Sequence, residues 1–266
     1  SPSSPRKPIF YGFGGASSLF LGLMLVFIRA RLDNRFKNPD QIETLTGVPA
    51  IGLIPFDKFV AKKESYAKVN IFDRSLFTEA IRGLHTSIFV SSSGRTGKAL
   101  CVTSSLPSEG KTLTTLSLAR VAAMSGQRVL VIDCDLRRPS VHRAARINNS
   151  RSIVELLSGQ LPVDEVITVD AHSGAHLVPS KVYRGNPLDL LRSNELEAFV
   201  AAAKSKYDLV LIDSPSILAV SDPKVLGQLT DQTLYLVKWD GVPKDAVLAG
   251  IKSLQDVDAD IAGVAM

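Results

Sequence analysis

The chain has 266 residues, 45% of them hydrophobic, enough for one α/β domain with a single core and an appendage, since domains commonly run to about 100–200 residues. Net charge is +5 and the pI about 9.2, with the basic excess gathered over 29–37 and 128–146; this reads as membrane-proximal and phosphate-facing charge and excludes a nucleic-acid surface. Only two cysteines are present, Cys101 and Cys134, each in an expected central strand, which excludes a disulfide-built scaffold and indicates buried thiols in a reducing compartment.

Pro2, Pro5 and Pro8 make residues 1–8 a stiff, extended lead-in. Ile9 to Ile28 follows without a charge, and a stretch of that length crosses a hydrocarbon layer of about 30 Å as a helix. Arg29, Arg31, Arg35 and Lys37 come next, against Arg6 and Lys7 before it, so the positive-inside bias puts the C-terminal side in the cytoplasm. Asn38-Pro39-Asp40-Gln41 opens a short helix to about Thr46, Gly47 ends it, and Val48 to Ile54 reads as a strand closed by Pro55. Residues 29–75 are expected to be juxtamembrane segment and linker. The chain opens on serine and stops in a strand-like run at Met266, so a fragment of a longer protein is expected.

Leu76 to Phe89 carries a helical apolar stripe, and Glu79, Arg82 and His85 stand opposite it at spacings of three, as a solvated flank or a contact surface for another subunit. Ser91 to Lys98 is a hinge-like linker. From Ala99 onward short apolar runs alternate with helical segments, the pattern of a parallel sheet wrapped by helices. Between the run Ala99–Val102 and a helix from Lys111 to about Met124 lies Ser105-Leu106-Pro107-Ser108-Glu109-Gly110-Lys111-Thr112, followed by Leu113. It fits a phosphate-binding loop, in which backbone N–H groups wrap phosphates, the lysine reaches the β/γ oxygens and the hydroxyl holds Mg²⁺; Ser105 replaces the usual first glycine.

Val129–Ile132 ends in Asp133-Cys134-Asp135, and Leu209–Ile212 ends in Asp213. Ligands of open α/β sheets bind beyond the carboxyl ends of the strands, so these acids are expected near the phosphates, with Asp213 as the Mg²⁺ partner. Further helices are expected over Ile153–Leu157, Pro187–Leu191, Asn194–Lys206 (capped by Ser193), Asp222–Leu229 (capped by Ser221) and Lys244–Gln255. Strands are expected over Ala175–Val178, Leu234–Val237 and Ile261–Met266.

Taken together, the loop at 105–112, the Asp-x-Asp-x-Arg strand end at 133–137 and the strand end at Asp213 resemble the Walker A, A′ and B motifs of the bacterial tyrosine kinases attached to chain-length-determinant proteins of polysaccharide export. Glu79 to Ile88 is similar to that family's Glu-x-x-Arg-x-x-Arg oligomerisation helix, with His85 in place of the second arginine, and the proline-rich start with its apolar span resembles the family's second membrane segment. The resemblance implies a P-loop NTPase-like α/β domain over 76–266 behind one transmembrane helix, ATP and Mg²⁺ as cofactors, and protein tyrosine autokinase activity governing exopolysaccharide chain length. It implies that Lys111 binds the β/γ phosphates, that Thr112, Asp133 and Asp213 serve the metal, and that Asp133 or Asp135 acts as base. The implied partners are neighbouring subunits in a ring that present a tyrosine tail in trans, the lipid bilayer of the inner membrane, and the polymerase and export machinery. The tyrosine cluster of the family is absent before Met266. Two alternatives remain open: a membrane-associated ATPase switch resembling the MinD/ParA group, whose signature lysine is Leu106 here, and a non-catalytic assembly module.

Overall fold

A computed structural model describes residues 7–32, 34–55, 75–91 and 98–266. Two compact units result, one ending at Arg35 and one running from Phe36 to Met266.

The first unit is the helix α1 (Lys7–Leu32). It takes Pro8 into its first turn, where a missing N–H costs no helical hydrogen bond, so the extended lead-in expected over 1–8 gives way to helix at Lys7. Residues 1–6 lie outside the described residues. Leu19, Phe20, Leu21, Leu23, Met24 and Phe27 are exposed along α1. Among the described residues no helix is long and apolar enough to cross a membrane; several side chains of the charge-free 9–28 stretch lie outside that description.

The second unit opens with α2 (Pro39–Thr46), where the Asn38 side chain accepts from the Asp40 N–H and Gly47 takes the left-handed conformation that ends the helix. Strand β1 (Ala50–Gly52) is shorter than the expected Val48–Ile54, because it lies at the sheet edge between Pro49 and Pro55, each of which lacks an N–H. Helix α3 (Leu76–Ser91) precedes β2 (Lys98–Ser104), α4 (Lys111–Met124) and β3 (Val129–Asp133). Then come α5 (Val141–Ala145), α6 (Ile153–Leu157), α7 (Val163–Val166), β4 (Thr168–Val169) and β5 (His176–Val178). The chain continues through α8 (Pro187–Leu191), α9 (Asn194–Lys206), β6 (Leu209–Asp213), α10 (Asp222–Leu229), β7 (Gln232–Leu236), α11 (Lys244–Gln255) and β8 (Ile261–Ala265). The linkers expected over 56–75 and 91–98 lie almost wholly outside the described residues.

The eight strands form one sheet in the order β1-β8-β7-β2-β6-β3-β5-β4, parallel throughout except for the β4–β5 pair. Side chains alternate between faces along each strand. Leu100, Val102, Val131 and Leu211 pack under α3 and α4, while Ala99, Cys101, Leu130, Ile132, Val210 and Ile212 pack under α9 and α10. The single core expected is therefore split by the sheet. A third cluster gathers Phe36, Ile42 and Val48 against Tyr235, Val247, Ile251 and Leu254, so residues 36–48 are folded onto the sheet's β7–β8 end. Both cysteines are free and buried, and burial pushes the Cys101 thiol up to about 12. Cys134 sits one residue past β3.

Candidate active site

Strands β2, β6 and β3 are neighbours, and their carboxyl ends bring the phosphate-loop residues and the acids to one place. Asp133 is paired in register with Asp213, and Val102 pairs with Asp213 from the other side. The loop leaves β2 at Ser104, turns through Ser108 (φ 67°) and Gly110 (φ 95°), and enters α4 at Lys111. Gly110 holds a left-handed conformation that a side chain would strain.

Ser105 explains its own departure from glycine. It is buried, and its hydroxyl lies 2.8 Å from the buried Tyr235 hydroxyl of β7, so the first loop residue is pinned to the neighbouring strand. Glu109 closes the loop on itself: one carboxylate oxygen accepts from the Leu106 N–H and the other from the Lys238 N–H at 3.0 Å. Burial holds this carboxyl above the usual range, against those two hydrogen bonds.

Lys111 Nζ donates to the hydroxyls of Ser104 (3.2 Å) and Ser216 (3.1 Å). Burial lowers its pKa, and Asp213, Asp135 and Glu109 pull in the opposite direction. Thr112 Oγ1 donates to Asp213 Oδ2 at 2.6 Å, and Thr115 Oγ1 reaches Asp213 Oδ1 at 3.5 Å. Burial raises Asp213 to about 7, opposed first by the Thr112 hydroxyl. Burial also lifts Asp133 well above the carboxylate range, and the neighbouring Asp213 charge adds to the lift.

Asp133 accepts the N–H groups of Asp135, Ser140 and Val141. Asp135 is half-exposed and accepts from the Arg137 and Arg138 N–H groups. Arg137 forms a forked pair with the fully buried Asp222 at the start of α10, which ties the loop after β3 to the loop after β6.

Among the described residues neither Asp133 nor Asp213 forms a salt bridge, and a pair of buried, adjoining carboxylates beside a threonine hydroxyl is a donor set that suits a hard divalent cation. Among the described residues no three His, Cys, Asp or Glu side chains close on a metal by themselves, so a cation here draws further ligands from phosphate and water.

Glu79, Arg82 and His85 are separated by the fold. Glu79 and Arg82 pair at 2.5 Å on the exposed flank of α3, whereas half-buried His85 turns to Gln127 Oε1 at 3.0 Å and stacks on Phe89. Sequence reasoning missed Ser140, Ser216 and Tyr235 at the site; single hydroxyls without a fixed spacing carry no pattern.

A family model described as an AAA domain matches residues 98–237, the stretch from β2 to the end of β7. The chain is 28% identical to the tyrosine-protein kinase etk of Escherichia coli strain K12 over 98% of its own length and 38% of that protein's. It is 29% identical to a putative tyrosine-protein kinase in the cps region of Klebsiella pneumoniae, again over 98% of this chain and 38% of the relative. The solved kinase domain of the E. coli tyrosine kinase ETK superposes with a TM-score of 0.78 at 26% identity, covering 86% of this chain and 93% of that one. The chain thus spans a little over a third of the length of these curated relatives. With its phosphate loop on the sheet's middle strand and a match over more than half its residues, the chain belongs to the AAA domain family and carries a P-loop NTPase-like α/β fold.

Proposed function

We propose that this chain is the ATP-dependent catalytic region of a protein tyrosine kinase, held at the inner membrane with its α/β unit in the cytoplasm and acting on tyrosines of neighbouring copies. The observation that carries this is the convergence of Lys111, Thr112, Asp213 and Asp133 at the ends of β2, β6 and β3, with Thr112 bonded to Asp213 at 2.6 Å. The names of the relatives supply the acceptor: those cited above are tyrosine-protein kinases, one of them encoded in a cps region. A role in exopolysaccharide chain length and export, with the polymerase machinery as partner, extends the same reading.

In this mechanism the loop 105–113 wraps the triphosphate through its backbone N–H groups. Lys111 leaves its two hydroxyl partners to neutralise β/γ oxygens, and phosphate charge offsets the burial that lowers its pKa. Thr112, Asp213 and Asp133 would hold a divalent cation, which supplies charge neutralisation on the phosphates. The phenolic oxygen attacks the γ-phosphorus, the bond to the β,γ-bridging oxygen breaks, ADP leaves, and the phenolic proton passes to a carboxylate. Of the two candidates Asp135 suits that last role better, because it is half-exposed while Asp133 is buried beneath three backbone N–H groups.

Helix α1, 26 residues and about 39 Å long at 1.5 Å per residue, serves as the membrane span, its exposed leucines and phenylalanines facing lipid. The exposed Glu79–Arg82 pair of α3 serves as subunit contact.

Incubating the full-length reading frame with Mg²⁺ and γ-labelled ATP tests the reading. Label on tyrosine that disappears in Lys111→Met supports it. Free phosphate alone indicates a nucleotide switch, and neither product indicates an assembly module; both outcomes overturn the kinase.

A further inference from the structure

Ser140 sits at the position preceding α5 where a serine ordinarily caps the helix by accepting a backbone N–H. It makes no such side-chain bond. Asp133 Oδ2 binds the same helix start differently, accepting the N–H groups of Ser140 itself and of the first helical residue, Val141, at 3.1 Å. The Ser140 hydroxyl is instead turned across the site to Thr112 Oγ1, 2.6 Å away. When Asp213 is ionised and accepts the single hydroxyl proton of Thr112 at Oδ2, Ser140 donates this second bond.

Two hydroxyl oxygens and one carboxylate oxygen therefore form a chain with 2.6 Å steps, Ser140–Thr112–Asp213. Adjacent oxygens around an octahedral Mg²⁺ are about 2.9 Å apart, given metal–oxygen distances of about 2.0–2.1 Å. The backbone N–H of Ser140 is fixed on Asp133, so the hydroxyl is anchored to one acid of the pair and points to the partner of the other.

We propose that Ser140 contributes its hydroxyl oxygen to the shell of the divalent cation that accompanies the nucleotide, beside Thr112, either directly or through one metal-bound water. The proposal rests on the nucleotide reading above. The Ser140 hydroxyl faces Thr112; where a cation is held, it turns its oxygen inward, and the forgone helix cap leaves it free to do so.

The test is calorimetric titration of ADP into the full-length protein with Mg²⁺ and with EDTA, for the unchanged protein, Ser140→Ala and Ser140→Thr. Loss of one metal-shell partner lowers metal affinity by about tenfold or more. The expected result is that Ser140→Ala loses about tenfold of the Mg²⁺-dependent gain in ADP affinity, keeps its affinity in EDTA, and that Ser140→Thr restores the gain. An undiminished Mg²⁺ gain in Ser140→Ala overturns the inference, and so does an equal loss with and without Mg²⁺, which a merely structural role produces. If the unchanged protein binds no ADP under either condition, the nucleotide reading itself fails and takes this inference with it.

Discussion

Asp133 and Asp213 stand side by side in register, and both are buried. Such an arrangement leaves a signature in stability. Asp213 takes up its proton at about 7 in the fold against 3.8 when unfolded, so between those pH values the native state binds more protons than the unfolded chain. Stability is present in full below pH 3.8 and is lost as the pH rises through about 7. Without metal, the protein is expected to lose stability on the order of a few kcal/mol as the adjoining Asp133 and Asp213 ionise with rising pH. Asp213→Asn removes that slope and also relieves Asp133 of a neighbouring charge, so thermal melts of the variant should be flatter with pH than those of the unchanged chain; parallel curves contradict the assignment. The acids were legible in sequence because each terminates an apolar run, and Lys111 and Thr112 because a fixed spacing precedes a helix. Tyr235 and Ser140 were not, since their roles depend on which strands and loops become neighbours.

At the scale of the element, the phosphate loop is held from below by β7 and α11. The Tyr235 hydroxyl meets Ser105, and a Cβ added to Gly250 of α11 would stand 1.9 Å from that same hydroxyl. Helix propensity alone favours Gly→Ala in a helix interior by about 1 kcal/mol. Here the close approach reverses the sign. Gly250→Ala is expected to destabilise the fold by about 1–3 kcal/mol, and to weaken nucleotide binding by displacing Tyr235; denaturant titration reads the first and ADP titration the second. A stabilised Gly250→Ala protein would refute the contact.

Element boundaries followed the sequence where chemistry marks them. Helix α9 spans the expected Asn194–Lys206 and its Ser193 side chain accepts from Leu196, and Asn38 and Gly47 bound α2. Ser221 precedes α10 as expected but makes no side-chain cap bond. The short α5 and α7 went unread because neither start has a side-chain cap, unlike the equally short α6 and α8 behind Ser152 and Asn186, and the two residues of β4 show no alternation. Strand β7 starts at Gln232, two residues before the expected Leu234, because Gln232 and Thr233 are polar yet pair with Leu100 and Cys101 in the sheet.

On the scale of the whole second unit, residues 36–55 are part of the fold. β1 adds a strand beside β8, with the Ile54 N–H donating to Met266 O and the Met266 N–H to Gly52 O, while Phe36, Ile42 and Val48 bury in the third cluster. Burying each of those side chains is worth about 1.5–3 kcal/mol. A protein starting at Phe36 should therefore melt like the full chain's α/β unit, and one starting at Phe56 should melt well below it and aggregate through the bared β8 edge. Equal melting of the two would contradict the packing described. The helix and strand expected within 36–55 were legible from Asn38, Pro39 and Gly47 and from the apolar run after Val48, but their packing was not, because Phe36, Ile42 and Val48 find their partners only on β7, β8 and α11.

A crystal structure of the full-length protein with Mg²⁺ and ADP tests the nucleotide site at the ends of β2, β6 and β3 most directly. The β-phosphate is expected against the N–H groups of 108–112 and Lys111 Nζ, with the metal about 2.0–2.1 Å from Thr112 Oγ1 and the Asp213 and Asp133 carboxylates facing it. Nucleotide bound elsewhere on the sheet, or a metal that leaves Thr112 and Asp213 untouched, would contradict it.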